Sequence, residues 1–247
     1  MLIQLSFELF LMELLTSLWH EYFQQGNSAL LKPNTILMKI KEAKEITGGL
    51  SNPSKMPGRA YSIPASRCNV GSKLAKVKGS VCEGCYALKG MYRFGNVQKA
   101  LEKRYQSLSD VRWVNSMALL ISNQSKDFFR WHDSGDIQSI DHLHKIVQVC
   151  KLTPETKHWL PTREYKIVEE YINQYGSIPS NLVIRLSAHK VNFPAPEKLA
   201  KRLGVQTSSV TTSKDDFTCK APNQDNECKA CRLCWNSKVA NVAYLKH

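Results

Sequence analysis

The chain has 247 residues, of which 43% are hydrophobic and 22% charged, a globular composition that excludes a disordered or fibrous protein. Lys and Arg number 34 against 21 Asp and Glu, a net charge of +13 that suits either an anionic partner such as nucleic acid or a solvated basic surface. No apolar run reaches the roughly 18 residues a membrane span needs.

Residues 1–37 read as an N-terminal amphipathic helical extension. Met1–Phe23 is apolar enough for a signal peptide, but no basic start precedes it, Glu8 and Glu13 interrupt it and no small-residue cleavage site follows. Translation starting near Met38 would make this extension dispensable. From about residue 58, short β-type runs alternate with helical stretches. Ala60–Ala65 is expected as a strand. Asn96–Leu108 and Val111–Asn123 are expected as helices from their apolar spacing. Phe128–Trp131, His158–Leu160, Leu182–Leu186, Val205–Val210 and Val239–Tyr244 are expected as further strands. Helices over Ile140–Cys150, Tyr165–Tyr175 and Glu197–Leu203 separate the first four of these. Such alternation implies an α/β fold with parallel strands and helical crossovers. The expected architecture is a partial or complete parallel β/α barrel over residues 38–213, closed by a cysteine-rich metal-binding segment over 214–247.

Polar groups follow the expected strands. After the first comes Ser66-Arg67-Cys68, after the second His132-Asp133-Ser134-Gly135-Asp136, and after the third Pro161-Thr162-Arg163-Glu164. The next two strands lead into Ser187-Ala188-His189 and Thr211-Thr212-Ser213. In a parallel barrel these would meet at the carboxyl-terminal rim, where active sites are built. Asp133, Asp136, Arg163, Glu164 and His189 are therefore the candidate catalytic residues, and Asp133, Asp136, Arg163 and His189 are expected in one polar pocket. Asp-Ser-Gly is also a turn signal.

Seven of the eight cysteines fall in two groups, which argues for a reducing, cytoplasmic setting and for metal ligation over disulfides. Cys219, Cys228, Cys231 and Cys234 form C-x8-C-x2-C-x2-C, four thiolates suited to an iron–sulfur cluster or to structural zinc. Cys68, Cys82 and Cys85 form C-x13-C-x2-C, and three ligands leave one coordination position open for chemistry. His132 is a rival fourth ligand that would make this a zinc site. Cys150 reads as core.

Several stretches carry a family resemblance: Gly79–Ala87 around Cys82 and Cys85, Arg130–Asp136 with Ser139, Val183–His189, and Cys219 through Trp235, closing with Val242-Ala243-Tyr244 and His247. Over about residues 59–247 the chain resembles the phage gene-product-88-like family. More broadly it resembles small phage and plasmid proteins that look like relatives of the radical S-adenosylmethionine enzymes. The resemblance implies a β/α barrel with a site-differentiated 4Fe-4S cluster on Cys68, Cys82 and Cys85 at its rim. It further implies S-adenosylmethionine as a cofactor with Ser134 among its binding residues, and a second cluster or zinc at the last four cysteines. An electron donor such as a flavodoxin or ferredoxin would be the partner. The common motif of those enzymes is C-x3-C-x2-C, and here the first gap is thirteen residues, so Cys68 must fold back from a long loop.

Three functions from different classes fit these residues. One is a radical-type enzyme acting on a nucleotide or nucleic-acid-related substrate. The second is a zinc-containing base-exchange enzyme akin to the tRNA-guanine transglycosylases, with Asp133 or Asp136 as base or nucleophile. The third is a non-catalytic zinc module that binds nucleic acid or protein.

Overall fold

The computed structural model describes residues 38–246, so the expected extension over 1–37 lies outside the described residues. Its elements, in chain order, are α1 (Ile40–Thr47), β1 (Arg59–Tyr61), α2 (Asn69–Leu74), α3 (Gly95–Ser107), α4 (Trp113–Gln124), β2 (Phe128–Trp131), α5 (Ile140–Leu152) and β3 (Lys157–Thr162). They continue with α6 (Tyr165–Tyr175), β4 (Leu182–Ser187), α7 (Glu197–Leu203), β5 (Gln206–Thr211) and β6 (Asn241–Leu245). Among the described residues no helix is long and apolar enough to cross a membrane.

The six strands form one sheet in the order β1-β2-β3-β4-β5-β6, and every adjacent pair is parallel. The expected parallel α/β architecture is therefore present. The expected closure is not: among the described residues no pairing joins β6 to β1. Each of the first four crossovers contains α-helix, whereas the last, from β5 to β6, is the cysteine-rich segment.

Strand periodicity sends alternate side chains to opposite faces. Phe129, Trp131, Leu160, Leu182, Ile184 and Leu186 form one core with Met117, Ile121, Leu143, Ile146, Val168 and Leu203 of the helices. Trp159 faces the other way, into a second cluster with Cys234, Trp235 and Val242, which Phe128 and Tyr244 flank. The helices thus cover one face of the sheet, and the cysteine-rich crossover packs against the other. Trp235 fixes it there by donating its indole N–H to Phe129 O at 2.9 Å.

Local signals set the ends. Ser139 caps α5, its hydroxyl accepting from His142 N at 3.1 Å. Gly204, at φ 66°, ends α7 in the left-handed region. Three expectations need correction. The first strand ends at Tyr61, not Ala65, because Ile63 N donates across to Ser134 O, 3.1 Å, and Pro64 has no N–H to continue a ladder. Thr162, Ser187 and Thr211 are the last residues of their strands, not loop residues, because each strand pairs in register through them. The polar helix α2 has no apolar period to announce it.

Buried histidines make the fold acid-sensitive. Burial pulls His142 and His158 down from 6.5 to about 3, so both are neutral when folded and protonate when unfolded. Their contribution is complete above the unfolded value of 6.5 and is lost as pH falls towards 3. Each can give at most about 1.4 kcal/mol per pH unit. Asp136 and Glu164, raised by burial, act in the opposite sense. Urea melts should show stability falling by about 1–2 kcal/mol per pH unit between about pH 6 and 4, and His158→Gln should flatten that slope.

Candidate functional site at the carboxyl edge of the sheet

The loops that follow β1 to β4 meet through hydrogen bonds donated by backbone N–H groups. Cys68 immediately precedes α2, and Val70 N in the first turn of that helix donates to Glu164 Oε1, 2.7 Å, from the loop after β3. Residues 79–81 pair with the chain beyond β4: Val81 N donates to His189 O and Val191 N to Gly79 O, both at 3.0 Å. The Ser80 hydroxyl donates to Leu74 O at 2.6 Å and accepts from Cys82 N and Glu83 N, which sets the turn carrying Cys82.

Asp136 is fully enclosed and ties β2 to β3. Its Oδ1 accepts from the Thr162 hydroxyl at 2.6 Å and from Ile137 N at 2.8 Å, and its Oδ2 from Arg163 N at 2.9 Å. Thr162 Oγ1 in turn accepts from Glu164 N at 3.0 Å. His189 stacks on Tyr165 with centroids 4.4 Å apart and donates from Nε2 to Arg163 O at 3.4 Å. Burial lowers its pKa from 6.5.

Cys68, Cys82 and Cys85 belong to this neighbourhood. Burial pushes the Cys68 thiol up to about 12; Asp136, Cys82 and Cys85 push the same way, while Arg163 opposes them. Burial also raises Cys82, again against Arg163. A Cβ at Gly71 would lie 3.0 Å from Cys68 Cβ, 3.5 Å from Cys68 Sγ and 3.7 Å from Cys82 Sγ, so the glycine lets α2 pack closely against both cysteines. A thiol raised this far is protonated at neutral pH and a poor nucleophile, whereas a coordinated cation takes the proton's place. Among the described residues no group of three or more His, Cys, Asp or Glu side chains stands ready to hold a metal ion.

A family model described as Gene product 88 matches residues 23–237, which include both cysteine groups and every candidate residue of the carboxyl edge. The chain belongs to the Gene product 88 family. Comparison with the curated proteins and with the solved structures finds no match.

The second cysteine group of this gene product 88 chain is held from both sides. Cys228 N donates to Lys55 O at 2.8 Å, and Cys231 N to Cys228 O at 2.7 Å, a tight C-x-x-C turn. The Cys234 sulfur lies 3.2 Å from the Tyr244 hydroxyl. Burial raises Cys219, Cys228 and Cys234, and mutual charge adds to it: Cys231 acts on Cys219, Cys219 and Cys231 on Cys228, and Cys219 on Cys234.

Not every candidate joins the Asp136 cluster. The Asp133 carbonyl accepts from the Tyr86 hydroxyl, and Asp133 acts electrostatically on Tyr86, Tyr92 and Arg130, a different set of neighbours. Of the four residues expected together, Asp136, Arg163 and His189 are neighbours, and Asp133 has other neighbours. The Ser134 hydroxyl donates to Ile63 O at 3.0 Å, a contact that braces the loop. His132 packs edge to face on His142, centroids 5.3 Å apart, and neither of its ring nitrogens finds a hydrogen-bond partner. Cys150 is fully buried in the helix-side core, as its apolar surroundings imply.

Sequence reasoning missed two arginines. The fully buried Arg185 guanidinium spends all five N–H donors on carbonyls of Thr207, Leu233, Cys234, Asn236 and Val239, at 2.9–3.0 Å. Arg130 lies over the Trp159 ring at 4.6 Å, and its charge acts on Asp133 and Tyr86 as well as on Cys228 and Cys234. Its charge thus reaches both regions. The signal was a charged residue inside each apolar strand run, Phe128–Trp131 and Leu182–Leu186.

Proposed function

We propose that this gene product 88 protein is an iron–sulfur enzyme of the radical S-adenosylmethionine type, acting on a nucleotide or nucleic-acid-related substrate. The observation that carries the reading is that Cys68 and Cys82 share the neighbourhood of Gly71, within the electrostatic reach of Cys85, Asp136 and Arg163, at the carboxyl edge of a parallel sheet. The one-directional strand order fits a partial β/α barrel, whose reactive groups sit at that edge. Gly71 brings the two sulfurs of Cys68 and Cys82 to within 4 Å of one point, as ligands of one group would need.

Cys68, Cys82 and Cys85 would hold the cluster, which when bound supplies an electron and an open iron for the amino-acid end of S-adenosylmethionine. Arg163 offers the positive charge that a carboxylate or an anionic cluster needs. Glu164 positions α2, and with it Cys68, through Val70 N. Asp136 holds the Arg163 backbone, and His189, stacked on Tyr165, offers a neutral imidazole at the same edge. The last four cysteines would hold a second cluster or zinc in a closed, structural site.

Protein purified without oxygen should contain iron and sulfide and show an electron paramagnetic resonance signal on reduction that changes with S-adenosylmethionine. That signal should vanish in a Cys82→Ala, Cys85→Ala variant that keeps its carboxyl-terminal metal. Gly71→Ala adds helix propensity to α2, worth up to about 1 kcal/mol. It should nevertheless lower the iron at this site severalfold, because the new methyl would press on Cys68 Cβ, 3.0 Å away, and displace its sulfur. A colourless protein with only zinc at Cys68, Cys82 and Cys85 would overturn the reading and favour base exchange.

A further inference from the structure

We infer that residues 73–94 form a docking surface for single-stranded nucleic acid, which leads a strand to the Cys68–Cys82–Cys85 edge. The inference deepens the reading of a nucleic-acid-related substrate and rests on it for purpose, but its own observations are separate. The segment carries five exposed cations, Lys73, Lys76, Lys78, Lys89 and Arg93, against one carboxylate, Glu83. Glu83 spends its Oε2 on Gly79 N, 2.6 Å away. Among the described residues none of the five cations forms an ion pair. Their charge is therefore available to phosphates.

The same segment exposes apolar surface that the fold does not cover: Tyr86 is 60% exposed, Phe94 59% and Met91 74%. Of these, Tyr86 is fixed in place. Tyr86 is tethered through its hydroxyl to Asp133 O, and Tyr92 packs edge to face against it at 5.8 Å. Two short 3-10 turns, Tyr86–Leu88 and Gly90–Arg93, set their spacing. Exposed rings among lysines match how proteins bind single strands, with cations tracking the backbone and aromatic faces stacking on bases. A duplex hides its base faces and could not use them. The surface also adjoins the proposed site: Lys89 Nζ lies 3.0 Å from where a Gly84 Cβ would be, inside the Cys82–Cys85 turn.

The test is fluorescence anisotropy of the full chain with labelled oligothymidylate, with a duplex and anionic phosphatidylserine vesicles as comparisons. Wild-type protein should prefer the single strand. Phe94→Ala should weaken binding about tenfold by removing one stacking face. Lys76→Gln with Lys78→Gln should lower the slope of log affinity against log salt by about 1.4, at about 0.7 per phosphate contact. Both variants change exposed side chains and should keep the wild-type melting temperature and iron content. Absence of single-strand binding, preference for the duplex, binding to vesicles alone, or an unaltered Phe94→Ala variant would each overturn the surface. Iron content and paramagnetic resonance on the same preparations keep the two readings apart: an iron-loaded protein that binds no strand refutes only the surface, and a strand-binding protein without iron refutes only the cluster.

Discussion

Arg185→Lys is expected to destabilise the protein by at least about 3 kcal/mol, although it conserves charge, volume class and burial. The guanidinium is planar and presents five N–H groups in fixed directions, and all five are used. An ammonium has three donors on one nitrogen and cannot reach five carbonyls spread over residues 207 to 239. Leu233 O and Asn236 O would keep one partner each, from Asn236 N and Val239 N. Every carbonyl that the ammonium fails to reach loses a charge-assisted bond, at about 1.5–3 kcal/mol each. Four of the five carbonyls belong to the crossover that carries Cys231 and Cys234, so metal at the second group should fall in step with stability. Urea denaturation and metal analysis of the same variant check both, and a variant within about 1 kcal/mol of wild type would refute the hub role.

How far such features can be read in advance depends on where their partners lie. The spans of α6 and α7 follow from apolar spacing, with Gly204 marking the end of α7, because the signals are local. The parallel order of the sheet follows from strand–helix alternation, since parallel strands need crossovers. Arg185 could not be read that way. Its partners are 22 to 54 residues further along the chain, and the run Leu182–Leu186 looks like any buried strand with one odd residue. Helix α2 was equally hidden, because a six-residue polar helix is held by tertiary contact with Glu164 rather than by its own propensity.

The loop after β2 shows why proximity in sequence misled. Asp133 and Asp136 are three residues apart, yet they serve different neighbours. The chain turns sharply here, with His132 just before Asp133 at φ 56° and Gly135 between the two at φ 82°. The glycine is required twice over. The left-handed conformation disfavours a side chain, and a Cβ there would stand 2.3 Å from Ile63 Cγ1 and 2.8 Å from Ile63 O. The Asp-Ser-Gly stretch is thus built as a turn braced on the β1 loop, which leaves Asp136 at its end to face the cysteines.

Asp136→Ala is the second large effect, and its comparison with Asp136→Asn decides how the residue works. Alanine removes three buried hydrogen bonds and strands the Arg163 and Ile137 N–H groups, an expected cost of about 3–5 kcal/mol. Asparagine keeps an oxygen where Oδ1 was, so the Thr162 and Ile137 bonds survive. Only the bond to Arg163 N is lost, because an amide NH2 there would face another donor. The expected cost is about 1–2 kcal/mol. The path from Asp136 to the cysteines runs through Thr162, then Glu164, then Val70 at the start of α2, which places Cys68. Asp136 is therefore a positioning residue. Iron at Cys68, Cys82 and Cys85 should drop sharply in the alanine variant and stay near wild type in the asparagine variant, as read by iron analysis alongside urea melts. An asparagine variant that folds normally but holds no iron would show that the negative charge itself is needed, and would sink the positioning role.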